Sequence, residues 1–147
     1  MEYNEAEFLF EIEVPLEELI VSRTDLKGVI TYANNTFCEI SGFSQEELIG
    51  QNHNLVRHPD MPSGAFEDLW KTIKEEKKWN GNVKNICKNK SFYWVNATIS
   101  GVYKDGKLVE YKSIRVPISK DEKLETQKKY DSMKIQNNEK IRHIVYK

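Results

Sequence analysis

The sequence is poor in cysteine, proline, glycine and net charge, and each shortage removes a class of function. Two cysteines, Cys38 and Cys87, are too few and too far apart for a Cys-x-x-Cys redox or zinc site, so two buried thiols are expected rather than a disulfide. Seven glycines and four prolines supply no phosphate-cradling loop and no low-complexity linker. No run approaches the roughly 18–20 apolar residues that cross a bilayer, and Met1-Glu2-Tyr3-Asn4-Glu5 is acidic where a secretory leader is basic. A cytoplasmic protein with no membrane span is expected. The 22 basic and 23 acidic residues leave a formal charge of −1, with the two signs interspersed, which argues against nucleic acid as a partner. No Ser/His/Asp arrangement and no metal quartet can be assembled, so neither an enzyme nor a metal site is expected.

What the chain does have is aromatic area: six Phe, seven Tyr and three Trp in 147 residues, enough for a single core over a strongly polar surface. Residues 19–24 and 29–33 are β-rich and flank Asp25-Leu26-Lys27-Gly28, which predicts a hairpin. Asn34-Asn35 caps a short helix carrying Phe37 and Ile40 inward and ended by Gly42, and Ser44-Gln45-Glu46-Glu47 has capping-box spacing for a second. Propensity alone does not decide 51–62. From Ser63, the spacing of Phe66, Leu69, Trp70 and Ile73 predicts a helix closing by Lys78. The period then changes to two, giving strands over 82–87, 92–103 and 107–117, with Lys104-Asp105-Gly106 a strong hairpin turn. Ser119-Lys120-Asp121-Glu122 opens a charged helix to about Asn137.

The expected fold is α+β: a five-stranded antiparallel sheet with short helices over one face. Residues 1–18 form a loose N-terminal flank, 19–118 the core domain, and 119–147 a C-terminal helix and tail. The middle helices and the concave sheet face should enclose a pocket.

Several segments together resemble the PAS sensor domains, and within them the FAD-binding domains of bacterial aerotaxis receptors. Ala33-Asn34-Asn35-Thr36-Phe37, Ile40-Ser41-Gly42-Phe43 and Glu47-Leu48-Ile49-Gly50-Gln51 occur in many PAS domains and speak to fold. Tyr93-Trp94-Val95 also matches, and more restrictive are Val56-Arg57-His58-Pro59-Asp60-Met61-Pro62, Ala65-Phe66-Glu67-Asp68-Leu69-Trp70, Trp79-Asn80-Gly81 and Val83-Lys84-Asn85. The resemblance runs from Ser22 to Arg115. It implies a PAS fold, non-covalently bound FAD and a redox-sensing role in energy taxis. The receptors' membrane anchor, HAMP segment and signalling coiled coil have no counterpart in this sequence. The chain is therefore expected to be a stand-alone sensor subunit, placed at the inner membrane through a membrane-anchored, HAMP-containing chemotaxis transducer; a homodimer is the other assembly considered.

The candidate cofactor-binding residues are Asn34, Arg57, His58, Asp60, Phe66, Trp70, Trp79, Asn85 and Tyr93. Arg57 offers a planar fork for a diphosphate or ribityl chain, with His58 and Asp60 holding its loop; read without the resemblance, the three are better explained as a surface ion-pair turn, and the resemblance favours the cofactor role. Asn34 alone reads as a helix cap and Asn85 as an outward strand residue, whereas the resemblance places Asn85 near the flavin, where its carboxamide presents both donor and acceptor. Phe66, Trp70, Trp79 and Tyr93 are candidates for stacking on the ring or ordinary core; strand alternation sends Tyr93 and Trp94 to opposite faces, and Tyr93 is preferred. Light-oxygen-voltage domains carry an adduct-forming cysteine in the helix before this loop, but 53–57 has none, so that chemistry is not expected. Two alternatives stay open: a haem gas sensor using His53 or His58, and a cofactor-free interaction module.

Overall fold

Asp25 sets the first turn. Its carboxylate accepts from the N–H groups of Lys27 and Val29, both at 2.9 Å, and Gly28 takes φ +89°, a left-handed conformation that glycine adopts without strain. Strands β1 (Ile20–Thr24) and β2 (Ile30–Ala33) therefore pair antiparallel. Asn34 then ties two elements together: Oδ1 accepts from Phe37 N–H and from Val21 N–H, while Nδ2 donates to the Leu19 carbonyl. The amide thus caps α1 (Asn35–Ser41) and fixes it to β1, and Gly42 in the left-handed region ends that helix. Ser44 and Glu47 make the reciprocal capping box of α2 (Gln45–Leu48). A 3-10 helix, His53–Val56, follows, capped by Asn52.

Helix α3 (Ser63–Lys74) stops short of Lys78, where its spacing had suggested an end. Glu76 turns left-handed and donates to the Ile73 carbonyl, and Lys77 N–H to that of Thr72, which frees Trp79 to pair with Ile99. Strand β3 (Trp79–Ile86) accordingly starts at Trp79 rather than at 82. Strands β4 (Phe92–Lys104) and β5 (Lys107–Val116) complete the sheet, joined by Asp105 and Gly106, both with positive φ as a type I′ turn requires. The order is β2-β1-β5-β4-β3, with every pair antiparallel. The five-stranded antiparallel sheet with its helical middle on one face is the fold expected from the sequence.

In this computed structural model, residues 10–139 are described. Phe8 and Leu9 of the flank, and His143 with the tail, lie outside them. The described part of the flank is tied rather than loose: Glu11 bridges Phe92, Ile12 N–H donates to the Phe92 carbonyl, and Val14 is buried. Both cysteines are free thiols, Cys87 buried but Cys38 only half-buried.

The two faces of the sheet are covered differently. Trp79, Val83 and Asn85 of β3 face the middle helices, where Ile20, Ile30, Phe37, Leu48 and Val56 are almost fully buried. Lys84 points to the other face, beside the rings of Phe92 and Trp94, and there α4 (Lys120–Gln136) lies across β3 and β4. Its docking is largely polar. Tyr130 stacks on Trp94 and donates its hydroxyl to the Asn82 carbonyl, Asn82 donates to Thr126, and Lys123 pairs with Glu11 and Glu13.

The strongest contact of α4 is with Asp60. Its carboxylate accepts from Lys84 Nζ at 2.8 Å, from Lys134 Nζ at 2.5 Å and from Gln127 Nε2 at 3.1 Å, and the three charged side chains are buried. Burial alone would raise the Asp60 carboxyl; the Lys84 charge and the hydrogen bonds from Lys134 and Lys84 outweigh it and hold the group below its ordinary range. Lys84 is held below the usual ammonium range, because burial outweighs Asp60's attraction. Both directions hold at once, since two ammonium groups share one carboxylate. Asp60's contribution to stability is present above the ordinary carboxylate pKa and lost as pH falls through the depressed one. Asp60→Asn should cost about 3–5 kcal/mol, the scale for breaking a buried ion pair, and hydrogen exchange should show the extra opening concentrated in Lys120–Gln136. Protection of α4 as strong as in the parent protein would contradict this role for Asp60.

Candidate functional site

A cavity of about 810 Å³ opens between α3, the 3-10 helix and the inner face of the sheet. That is within the range of small-molecule and cofactor pockets. On one side stand Trp70, Ile73, Trp79, Ile99 and Tyr111, with the Trp70 and Tyr111 rings edge to face at 6.3 Å between centroids. Trp79 is oriented by donating its indole N–H to the Asp68 carboxylate at 2.9 Å. Gly28 gives Trp70 room, because a Cβ there would come within 3.2 Å of the indole.

Arg57 reaches the cavity from the loop after the 3-10 helix. Its guanidinium lies 3.8 Å from the Phe66 ring centroid, a cation–π stack that holds the fork half-buried. The backbone of Arg57 bridges Asn85, which places both at one edge of the cavity. Asn85 is buried and lines the cavity, against the outward position read from its strand alone; its Nδ2 donates to Tyr93 Oη at 3.3 Å.

Of the nine residues singled out in the sequence, Arg57, Phe66, Trp70, Trp79 and Asn85 line this cavity. The structure places the other four elsewhere. Asn34 is the cap of α1 described above. His58 is fully buried under the loop, where Nδ1 accepts from Asp60 N–H at 3.0 Å and the ring meets Phe92 edge to face. Asp60 lies on the outer face among lysines, because the loop passes around the sheet edge at β3. Tyr93 is on the inner face, as alternation required, but its ring is wholly in the core behind the cavity lining, where its hydroxyl accepts from Asn85.

The sequence reading missed Arg115 and Ser22, and named His53 only as a candidate haem ligand. Arg115 is 1% exposed and lines the cavity; Nη2 donates to Ser22 Oγ at 2.8 Å, Nη1 is 3.4 Å from His53 Nε2, and the guanidinium lies 4.3 Å from the Phe37 ring centroid. Ser22 Oγ is also 3.1 Å from His53 Nε2. The consistent assignment is a neutral imidazole whose Nε2 accepts from both neighbours. Burial and then the Arg115 charge push His53 down to about 3, and burial pushes Arg115 down to about 10, still cationic at neutral pH. Tyr111, Ser113 and Arg115 alternate along β5, a period-two row that could have marked Arg115 as inward-facing.

A protein-family model described as the PAS fold matches residues 30–115. The chain belongs to the PAS fold family. It is 48% identical over 103 residues to the aerotaxis receptor of Escherichia coli K12, covering 70% of this chain and 20% of the receptor. The nitrogen fixation regulatory protein of Klebsiella pneumoniae is 30% identical over 112 residues, covering 76% of this chain and 23% of that protein. The chain thus spans about a fifth of the length of these relatives. Among solved structures, the light state of the blue-light photoreceptor Aureochrome1 LOV superposes with a TM-score of 0.66 at 20% identity, covering 80% of this chain and 91% of that one; this likeness concerns fold. The protein is a PAS sensor domain close to that of the aerotaxis receptor, and the similar proteins are signalling proteins. Among the described residues no helix is long and apolar enough to cross a membrane, and no group of His, Cys, Asp and Glu could hold a metal ion.

The residues present fit a flavin. Aromatic walls suit a planar ring, and Arg115, which lines the cavity, is a buried cation whose Nε has no hydrogen-bond partner among the described residues. His53 also bears on the haem reading, since its Nε2 is engaged by Ser22 and Arg115 rather than presented to an iron. Its low pKa has a measurable consequence. In folded protein, nitrogen shifts of His53 should show a neutral ring at every pH above about 4, while an ordinary histidine titrates near 6.5. Because the folded value is depressed, the contribution to stability is complete above pH 6.5 and declines as pH falls towards 3. A His53 midpoint near 6.5 would contradict this environment.

Proposed function

We propose that the cavity binds FAD non-covalently and that the protein is a redox sensor for energy taxis, passing the flavin's state by direct contact to a membrane-anchored, HAMP-containing chemotaxis transducer. The carrying observation is the donor set: Arg57 stacked on Phe66 at one edge, Asn85 beside it, and Arg115 buried on the inner wall of an aromatic-lined cavity. The similarity to the aerotaxis receptor supports the same reading. FAD, when bound, would exchange electrons with cellular electron flow.

The residues divide the work by chemistry. Arg57, half-buried and carrying several donors, suits the diphosphate, which prefers to stay partly hydrated. Asn85 can present its N–H or its carbonyl to the ring edge by rotating, so it accommodates either redox state. Trp70, Trp79 and Phe66 exclude water from the ring. A change at Asn85 reaches Arg57 through their backbone bridge, and reaches α4 through the same loop, because Asp60 follows Arg57 and grips Lys134. A partner receives a signal only if it binds the two states with different affinity. Helix α4, with the flank beside it, is the surface this route favours. The protein would then work in the cytoplasm, held at the inner membrane by its transducer; a homodimer is the alternative assembly.

An absorption spectrum of the purified protein, followed by denaturation and chromatography of what is released, tests the cofactor. Paired near-ultraviolet and blue bands with released FAD are expected. A colourless protein that takes up no added FAD would reduce the function to an interaction module, and a Soret band would make it a haem protein. Arg57→Ala should weaken FAD binding roughly 10- to 100-fold, the worth of a charge-assisted hydrogen bond, in a binding titration. Unchanged affinity would remove Arg57 from the site. Asn85→Asp should shift the flavin midpoint potential or abolish binding; full occupancy at an unchanged potential would take Asn85 out of the mechanism.

A further inference from the structure

We propose that Arg115, supported by Ser22 and His53, is the residue that makes the cavity prefer the reduced, anionic form of the flavin ring; the proposal rests on the FAD reading above. It begins from an imbalance in how the protein treats buried charge. Lys84 and Lys134 are buried on the outer face and share the carboxylate of Asp60. Arg115 is as deeply buried on the inner face, yet among the described residues no carboxylate lies within ion-pair distance of it.

Among the described residues, the side chains in contact with Arg115 are neutral. Strand β1 contributes the Ser22 hydroxyl, the 3-10 helix the neutral His53 ring, and α1 the face of Phe37. Strand β4 contributes Tyr93, whose phenol is pushed up by burial, although the Arg115 charge favours its ionised form. The desolvation of a guanidinium costs several kcal/mol. Hydrogen bonds to a serine and an imidazole, plus one ring face, recover part of that and leave Nε without a partner. An unneutralised cation that lines a cavity is suited to an occupant that brings negative charge to that spot.

FAD offers negative charge at two places, and burial decides between them. The diphosphate is strongly hydrated and matches half-exposed Arg57. The ring becomes anionic only on reduction: two electrons and one proton convert neutral oxidised flavin into a reduced ring carrying one negative charge. A positive charge near the ring edge stabilises that product and raises the midpoint potential. By thermodynamic linkage, the same interaction appears as tighter binding of the reduced form.

The experiment compares wild type, Arg115→Met, Arg115→Gln and Arg115→Lys, each loaded with FAD and, separately, with riboflavin, which lacks phosphate. Binding constants for oxidised and reduced flavin are measured anaerobically, with dithionite supplying the electrons. For Arg115→Met and Arg115→Gln the preference for the reduced form should fall at least tenfold, a drop of about 30 mV for a two-electron couple. Arg115→Lys should keep most of it. The loss should be the same with riboflavin as with FAD, and the flavin-free Arg115→Met protein should melt no lower than wild type, because an uncompensated buried charge has gone. An unchanged preference in the charge-removing variants overturns the proposal, as does a loss seen with FAD but not riboflavin, which would place the diphosphate at Arg115. If Arg115→Met does not fold, the contrast between Gln and Lys decides alone. A wild-type protein that takes up no flavin would instead remove the FAD reading itself, and this proposal with it.

Discussion

The edge of β3 is the constraint on which the rest of the molecule depends. An edge strand exposes backbone groups that must be paired or covered, and here the loop over 57–62 takes them up. Arg57 bridges Asn85, His58 N–H donates to the Lys84 carbonyl, and Lys84 N–H is met by Met61 Sδ. Because the loop wraps the edge, its residues fall on opposite sides of the sheet. Arg57 enters the cavity, while Asp60 emerges on the outer face between Lys84 and Lys134. One short segment thereby joins the cavity side of the domain to its C-terminal helix, with Pro59 and Pro62 limiting its freedom.

Helix α4 shows why that link matters. Of its residues only Tyr130 and Lys134 are buried, and it carries no apolar stripe that would dock it by itself. Its position is set by directional contacts: the carboxylate of Asp60, the carbonyl of Asn82 and the stack on Trp94. Contacts of this kind are lost with small displacements, whereas an apolar interface tolerates sliding. A helix held in this way can report small movements of the loop.

The superposition with light-oxygen-voltage domains concerns the scaffold. The 3-10 helix His53–Val56 contains no cysteine, and the two thiols of the chain lie elsewhere. Burial raises both above the ordinary thiol range, which makes them poor nucleophiles. What the cavity has instead is charge, with Arg57 at its edge and Arg115 on its inner wall.

Local order was legible in the sequence because its causes are local. The caps at Asn34 and Ser44, the Asp25 turn, the Asp105-Gly106 turn and the inward row of α3 each depend on a few adjacent residues. Of the five proposed site residues that line the cavity, Phe66 and Trp70 do so because the helical period decides which side a residue faces. The remaining assignments needed the tertiary structure. No period governs 51–62, so nothing in the sequence says that Arg57 turns inward and Asp60 outward, and the early end of α3 follows from Trp79 pairing with a distant strand. Arg115 went unnoticed because arginine on a strand is ordinarily a surface residue, and only the closing of β1, α1 and the 3-10 helix around it makes its charge buried and uncompensated. The sequence by itself determined the elements and their facing, through short-range hydrogen bonds and hydrophobic period. Which buried charges are neutralised and which are left uncompensated among the described residues was decided only by the fold, because desolvation depends on everything that surrounds a group.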